Sequence, residues 1–277
     1  MIVTAAKRLA ARVVRWTARK LGMRVSDNVG RVRFNWQGVY ERFADVPAQG
    51  GFDDEVWARE THQYTERIMQ ECAKADRLPA LVDDNALLAM LLAVSSEAGA
   101  SRLRVLDFGG GMGMSYVLSA ASMSRPEALE YHIVENPRIC QEGAKVFSAD
   151  KRVHFHERIP ETLPDLHLVY INSALQYVED YRSLLRTLCA LSPRFVLLAR
   201  CSAGNIPTYA TAQVTLPGKR LPYWFIDIHE LVSILAESDY APHFTARGSY
   251  PLNQSNFEER YRVGFACNLL FARVRKR

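Results

Sequence analysis

The chain has 277 residues, 48% of them hydrophobic, and a formal net charge of +5. That length suits one large α/β domain with an extension, or two small domains. Five scattered cysteines with no C-x-x-C spacing argue against a disulfide framework and for a reducing cytoplasm, and no apolar run approaches the ~20 residues of a membrane span.

The positive charge sits at the ends. Residues 1–33 carry nine Lys/Arg against one acid, and the last five residues carry four more, which leaves the body of the chain mildly acidic. A protein that tracks a nucleic-acid backbone spreads its basicity over the fold, so no nucleic-acid partner is expected. Within 2–21, Ile2, Ala6, Leu9, Val13 and Trp16 recur at three- and four-residue intervals, with Lys7, Arg8, Arg12, Arg15 and Arg19 mostly opposite. This spacing predicts a basic amphipathic helix with a tryptophan on its apolar face. Arginines interrupt any secretory apolar core. An anionic membrane surface, met through residues 1–24, is the expected partner of this segment, placing a cytoplasmic protein peripherally at the inner face of the membrane. A mitochondrial presequence has a similar composition, and a solvated helix packed on the domain is the alternative.

Residues 34–100 read as a helical and aromatic extension ahead of a domain over 101–277. The stretch 34–60 is turn-rich and aromatic, and Asp53 or Asp54 can cap a helix reaching residue 75. Asp83 or Asp84 caps a second helix over 85–97, which Gly99 stops. Strands and helices then alternate. Strands are predicted over 103–108, 131–135, 152–156, 167–172 and 194–200, and helices over 114–123, from Pro137 onward, and over 178–191. Asp227-x-x-Glu230 resembles a capping box opening a helix to residue 238, and two strands, 243–250 and 262–274, close the chain. This alternation predicts a doubly wound α/β sheet. The segment 204–226, rich in Pro, Gly, Tyr and Thr, follows the fifth strand and is expected over the carboxyl edge of the sheet, where substrates bind.

Residues 104–113 read Arg-Val-Leu-Asp-Phe-Gly-Gly-Gly-Met-Gly. They form a short strand closed by an acid, a tight glycine turn and a helix start, the arrangement with which α/β proteins bind nucleotides. Gly109, Gly111 and Gly113 alternate, whereas a dinucleotide fingerprint would need its third glycine at Met114. Glu135 lies 22 residues beyond Gly113 at the end of the second strand, where an acid can accept hydrogen bonds from ribose hydroxyls. After the fourth strand, 172–180 reads Asn-Ser-Ala-Leu-Gln-Tyr-Val-Glu-Asp, in which Ser173 and Gln176 supply polar groups.

The acid–glycine–acid set resembles that of the class I S-adenosylmethionine (SAM) methyltransferases, and 172–180 resembles the segment that flanks the methyl-donor end of their cofactor. The resemblance implies a Rossmann-like, seven-stranded, mostly parallel sheet whose last strand inserts antiparallel. It also implies SAM as cofactor, held by Asp107, Gly109, Gly111, Gly113, Glu135, Ser173 and Gln176. Further blocks narrow it: Trp36-Gln37-Gly38-Val39-Tyr40, Gly51-Phe52-Asp53, Trp57, Ser115-Tyr116, Ala174 to Tyr177, and Pro222-Tyr223-Trp224-Phe225. Together they are similar to a bacterial family of SAM methyltransferases often associated with surface-polysaccharide genes. That association implies O-methylation of a sugar or surface-glycan precursor. A small-metabolite or nitrogen acceptor, and a SAM-fold binding protein without catalysis, are the alternatives.

A hydroxyl acceptor needs a base within hydrogen-bond reach. The candidates near the carboxyl edge are His229, Tyr223 and Asp227, with His243 less favoured. Arg200 can bind an anionic substrate group, and Trp224 is placed with it at the substrate. His154 and His156 share one strand face by the period of two. No third ligand stands at a recognisable spacing, so the pair reads as structural and no metal is expected.

Overall fold

The computed structural model describes residues 35–52, 55–74, 83–100, 102–214 and 219–274. The predicted basic helix with its membrane-facing residues 1–24, the caps at Asp53 and Asp54, and the final three residues lie outside this set, as do the side chains of Asp83 and Asp84. The chain divides into two units, Met1–Phe34 and Asn35–Arg277, and the second carries the described residues.

In chain order the main elements are β1 (Trp36–Tyr40), α1 (Glu55–Cys72), α2 (Asp83–Glu97), β2 (Leu103–Phe108), α3 (Met114–Ser122), β3 (Leu129–Val134) and α4 (Pro137–Val146). There follow β4 (Val153–His156), β5 (Leu166–Asn172), α5 (Tyr181–Ala190), β6 (Phe195–Cys201), β7 (Ala203–Gly204), β8 (Tyr209–Gln213) and β9 (Leu221–Asp227). The chain ends with α6 (Ile228–Ala236), β10 (Tyr240–Pro251) and β11 (Phe265–Arg273). Seven strands make one sheet in the order β10-β11-β6-β5-β2-β3-β4. From β6 to β4 the neighbours are parallel, and β11 lies antiparallel to both β6 and β10.

The apolar runs of β5 and β6 are those of strands covered on both faces. Leu168, Tyr170, Leu197 and Ala199 join a layer with Ile68 of α1, Leu88 and Leu92 of α2, and Leu118 of α3. The alternate positions Val169, Ile171, Val196 and Leu198 join Leu185 and Leu188 of α5, with Leu231 and Leu235 of α6, on the other face. The strand order reverses between β2 and β5, and in such sheets a crevice opens at the carboxyl ends of the strands at that point.

Local signals explain most element boundaries. Asn136 caps α4 by accepting the Ile139 N–H at 3.1 Å, with Pro137 in the first turn. The helix expected over 178–191 is α5, which starts only at Tyr181, after a separate 3-10 turn at Leu175–Tyr177, because Asp180 caps it by accepting from Ser183 N–H at 3.0 Å. The expected capping box at 227–230 is only half made. Asp227 accepts the His229 N–H at 3.0 Å, but Glu230 instead accepts from the Tyr181 and Thr208 hydroxyls at 2.7 and 2.6 Å. Thr208 in turn accepts the Asp227 N–H at 2.9 Å.

The larger difference is a second sheet. The segment 204–226 is not an open loop but carries β8, β9 and part of β7, which pair with β1 in the order β1-β8-β9-β7. Its core is aromatic: Trp36 packs edge-on to Phe225 at 5.3 Å, and Tyr209 stacks on Phe225 at 5.3 Å. This sheet packs by β9 against the 3-10 turn that follows β5.

Leu88 is fully buried between α2 and the sheet. Leu88→Ala is expected to lower the unfolding free energy by about 2–5 kcal/mol in urea denaturation, with an unchanged far-UV circular dichroism spectrum. A loss within error of zero would show that α2 is not docked on the sheet.

Candidate active site

β2 delivers Asp107 to the switch point, and three of the next glycines, Gly109, Gly111 and Gly113, have φ of 69°, 56° and 80°. Side chains rarely adopt this left-handed region, so the turn needs glycine there. Space sets a second requirement. A Cβ at Gly109 would stand 2.5 Å from the Ala174 Cβ, and one at Gly110 would stand 2.6 Å from the Asp107 carboxyl. Gly111 differs, because its Cβ would meet only the Thr61 methyl, at 3.6 Å. Space alone would admit a Cβ at Gly111, which lines the smaller cavity; its positive φ is what calls for glycine. Gly110 escaped the alternating-glycine pattern; the unbroken run of three glycines was the signal for it.

Asp107 is buried beneath this loop. Its Oδ2 accepts the Tyr131 hydroxyl at 2.8 Å, while its Oδ1 has no protein partner. Burial pushes the carboxyl up to about 7, the Tyr131 bond opposes this, and the charge of Glu135 adds to it. Glu135 stands just past β3. Its Oε1 accepts the Gly111 N–H at 3.3 Å, and its Oε2 accepts from the Asn136 backbone and side chain at 2.8 and 3.0 Å. Burial raises this carboxyl too, and the backbone hydrogen bonds oppose the shift.

The ends of β5 and β6 supply the opposite wall. Asn172 closes β5 and presents a buried Oδ1 with no protein partner. Ser173 and Arg200, on adjacent parallel strands, both adopt left-handed backbone, with φ of 56° and 48°. Strain of this kind is of order 1–3 kcal/mol per residue and gathers at functional sites. It is held in place here: Ser173 N–H donates to Ala199 O at 3.0 Å, and Arg200 N–H donates to Asn268 Oδ1 at 2.9 Å. The Arg200 guanidinium lies over the Tyr250 ring, 4.8 Å from its centroid. Gln176 lies behind the wall, buried, and its amide donates to Ser173 Oγ at 3.1 Å.

Two adjoining cavities of about 560 and 350 Å³ share Trp57, Gly109, Asn172, Ser173 and Arg200. The larger reaches Glu135, Asn136 and Glu157; the smaller reaches Asp107, Gly111 and Ser115. Their sizes fall in the range of small-molecule sites. Phe52, Trp57 and Tyr177 wall the larger one, with Phe52 edge-on to Trp57 at 5.3 Å and to Tyr177 at 4.9 Å. Phe52 and Trp57 come from the extension that precedes β2.

Of the expected site residues, Asp107, Gly109, Gly111, Glu135, Ser173 and Arg200 line these cavities. Gly113 caps α3 beneath the loop, its missing Cβ leaving room for the Phe147 ring, and Gln176 braces Ser173. Tyr223, Trp224, Asp227 and His229 line neither cavity. Tyr223 is buried behind Tyr177 and shares a hydrogen bond with Ser202; burial drives its hydroxyl well above the ordinary tyrosine range. Trp224 points to the other face of β9, stacks on Phe43 at 5.4 Å and donates its indole N–H to Glu179 O at 3.2 Å. Asp227 is a helix cap, and His229 is exposed on the first turn of α6. Tyr223 and Asp227 do stand beside the end of β6, through the Ser202 bond and the pairing of Asp227 with Gly204, but as parts of a second sheet that packs behind Tyr177 and not in the cleft.

No protein-family model and no curated protein sequence matches the chain. Solved structures do. A chain of the complex between the Haloferax volcanii Trm112 methyltransferase activator and a methyltransferase superposes with a TM-score of 0.51, over 82% of this chain and 97% of its own, at 10% identity. The Burkholderia thailandensis 1,6-didemethyltoxoflavin-N1-methyltransferase, solved with its substrate and S-adenosylhomocysteine, gives 0.47 over 82% and 92% at 17% identity. Magnesium protoporphyrin IX methyltransferase from Synechocystis, solved with S-adenosylhomocysteine, gives 0.46 over 81% and 90% at 14% identity. With the strand order and the antiparallel β11, the first of these identifies the architecture as the Rossmann-like class I methyltransferase fold.

The raised carboxyl of Asp107 has a consequence for stability. Its folded value, about 7, exceeds the ordinary 3.8, so the folded state holds the proton more tightly. Stability from this group is therefore fully present below pH ~4 and declines as pH rises toward 7, by at most about 1.4 kcal/mol per pH unit. Asp107→Asn should flatten that part of the decline when unfolding free energy is measured by urea denaturation across the window. Identical slopes for the two proteins would contradict the burial of a lone carboxyl.

Proposed function

We propose that this chain is a SAM-dependent methyltransferase. The carrying observation is the convergence, at the sheet's switch point, of a glycine loop that lines the smaller cavity with the buried carboxyl of Asp107 and the half-buried carboxyl of Glu135. A fold hosts many functions, so the reading rests on these residues and takes the fold as support only.

The residues suit the cofactor's parts. Asp107 Oδ1 and Asn172 Oδ1, both buried without protein partners, are free acceptors of the kind an ammonium group seeks. Glu135 stands at the end of β3, where it can accept from ribose hydroxyls, and Phe108 and Val134 give that part of the cavity an apolar surface. Gly109 and Gly111 let backbone come close to the ligand, Gly113 turns the chain into α3 beneath them, and Ser173, braced by Gln176, forms the facing wall. When bound, SAM supplies a methyl group on a sulfonium, whose departure leaves a neutral thioether. What remains for the protein is alignment and exclusion of water. Phe52, Trp57 and Tyr177 close one side of the cleft, and Arg200, fixed by Asn268 and Tyr250, presents a cation to the acceptor.

The acceptor we infer is a hydroxyl of a sugar or surface-glycan precursor. The similarity of the Trp36 and Trp224 blocks to that family supports it, as does an aromatic wall able to pack on the apolar face of a sugar ring beside an arginine suited to a phosphate or carboxylate. A planar small metabolite suits the same aromatic wall and is the second reading.

Calorimetry should show SAM and S-adenosylhomocysteine binding and no NAD binding. Gly111→Val, whose side chain is strained at a φ of 56° and would stand beside the Thr61 methyl in the smaller cavity, should lose tenfold or more in SAM affinity, about 1.4 kcal/mol, measured on protein verified as folded by circular dichroism. Glu135→Ala should lose a similar amount. NAD binding without SAM binding would overturn the cofactor assignment, and unchanged SAM affinity in Gly111→Val would overturn the place given to the loop. Mass spectrometry of cell-envelope glycans should show the loss of one CH₂ unit per modified residue when the gene is deleted; identical spectra exclude the surface-glycan acceptor.

A further inference from the structure

At the β3–β4 end of the sheet, polar side chains occupy the face on the α5–α6 side. The connection from β4 to β5, residues 157–165, carries no helix among its described residues. Glu130 and His132 of β3 occupy alternate positions on the same side as Val134, which belongs to the core layer of α5 and α6. In β4, Val153 and Phe155 pack toward the α1–α3 layer, which places His154 and His156 on the same side as His132. The parallel register pairs His132 with His154, and Val134 with His156. Three imidazoles and a carboxylate therefore meet across two strands.

We propose that Glu130, His132 and His154 bind a divalent transition-metal ion of the zinc class. One ligand atom from each lies within 4.8 Å of the others. His132 Nε2 is 2.9 Å from Glu130 Oε1, and the His132 and His154 rings lie nearly parallel with centroids 4.7 Å apart. Imidazole and carboxylate donors suit zinc, cobalt or nickel in preference to calcium or magnesium. Tetrahedral zinc holds such donors at about 2.0–2.2 Å, so the three groups must contract, and His154, partly exposed on a short edge strand, is the one placed to move. Three protein ligands leave a fourth position for water.

The outer partners are in place as well. An ion on His132 Nε2 requires the proton on Nδ1, and His156 Nε2 stands 2.9 Å from Nδ1 to accept that hydrogen bond. Metal-bound histidines usually have such a partner on the other ring nitrogen. Arg104 donates to both Glu130 oxygens at 3.2 Å, and Arg102 also pairs with this carboxylate. These arginines orient the carboxylate, and their charges oppose the ion. The bound ion would join β4, which has four residues and, among the described residues, only β3 as a neighbouring strand, to the body of the sheet. The same strand pair carries the Glu135 N–H to His156 O bond of 3.0 Å beside the cleft.

The test uses tag-free, full-length protein stripped with a chelator at neutral pH. Cobalt titration should give the intense visible absorption of a four-coordinate site, saturating at one equivalent, and zinc should displace it. His154→Ala, verified as folded by circular dichroism, should lose the absorption and at least about tenfold in zinc affinity; His154→Gln is the second variant if the first does not fold. His156→Ala should keep the absorption and bind zinc about 10–100-fold more weakly. Zinc should raise the melting temperature of the wild type and not that of the His154 variant. Absence of the cobalt band in the wild type, or equal zinc affinity in the wild type and the His154 variant, overturns the proposal.

Discussion

The arrangement turns on one buried carboxyl. Asp107 sits beneath a turn that passes so close to it that Gly110 has no room for a Cβ. Leaving a carboxyl oxygen without a partner in an apolar interior is costly, and the surrounding structure is organised around that cost. Tyr131 satisfies the other oxygen and stacks at a tilt on Tyr116 of α3, 5.6 Å away. α2 is tied to the start of α3 by Asn85, which donates to Ser115 Oγ at 3.2 Å. The extension, the helix after the glycine loop and the second parallel strand are thus set in register about one acid. That acid lines the smaller cavity and keeps one buried oxygen without a partner among the described residues.

The parts of the fold legible in the sequence are those written locally. β2 spans Leu103–Phe108, as its apolar run predicts, because an acid and a glycine turn stop it within two residues. α4 begins at Pro137 after an asparagine cap for an equally local reason. Convergence of the cofactor-side residues follows at one remove: each ends a parallel strand, and ends of parallel strands at a switch point share a crevice. Spacing therefore predicted that Asp107 and Glu135 would share a crevice, and both line the adjoining cavities, as does Ser173, which came from the resemblance of 172–180.

What was not legible depends on pairings between distant segments. β1 pairs with β8, Gln37 opposite Ala212, and nothing within either segment names the other. Pro222, second in β9, lends that stretch the composition of a loop. Consequently Tyr223 and Trp224, which read as residues facing a substrate, are buried on opposite faces of a strand. The left-handed backbone of Arg200 has no sequence signature, since a non-glycine residue is held there by Asn268 on β11. The companions of His154 and His156 come from the neighbouring strand, where spacing along one segment cannot show them.

The four-stranded sheet has a consequence for how the molecule comes into being. Its first strand is made near the start of the chain, and its partner only when synthesis has passed residue 213. Until then β1 is an unpaired strand with a buried-type tryptophan, Trp36, and no place to put it. The glycine loop, by contrast, needs its own strand and helix and the two strands that flank it, β3 and β5. Contacts of long sequence separation form slowly because loop closure precedes any reward. The small sheet that backs Tyr177, and through it the aromatic wall of the cleft, rests on a pairing of far longer sequence separation than the glycine loop does.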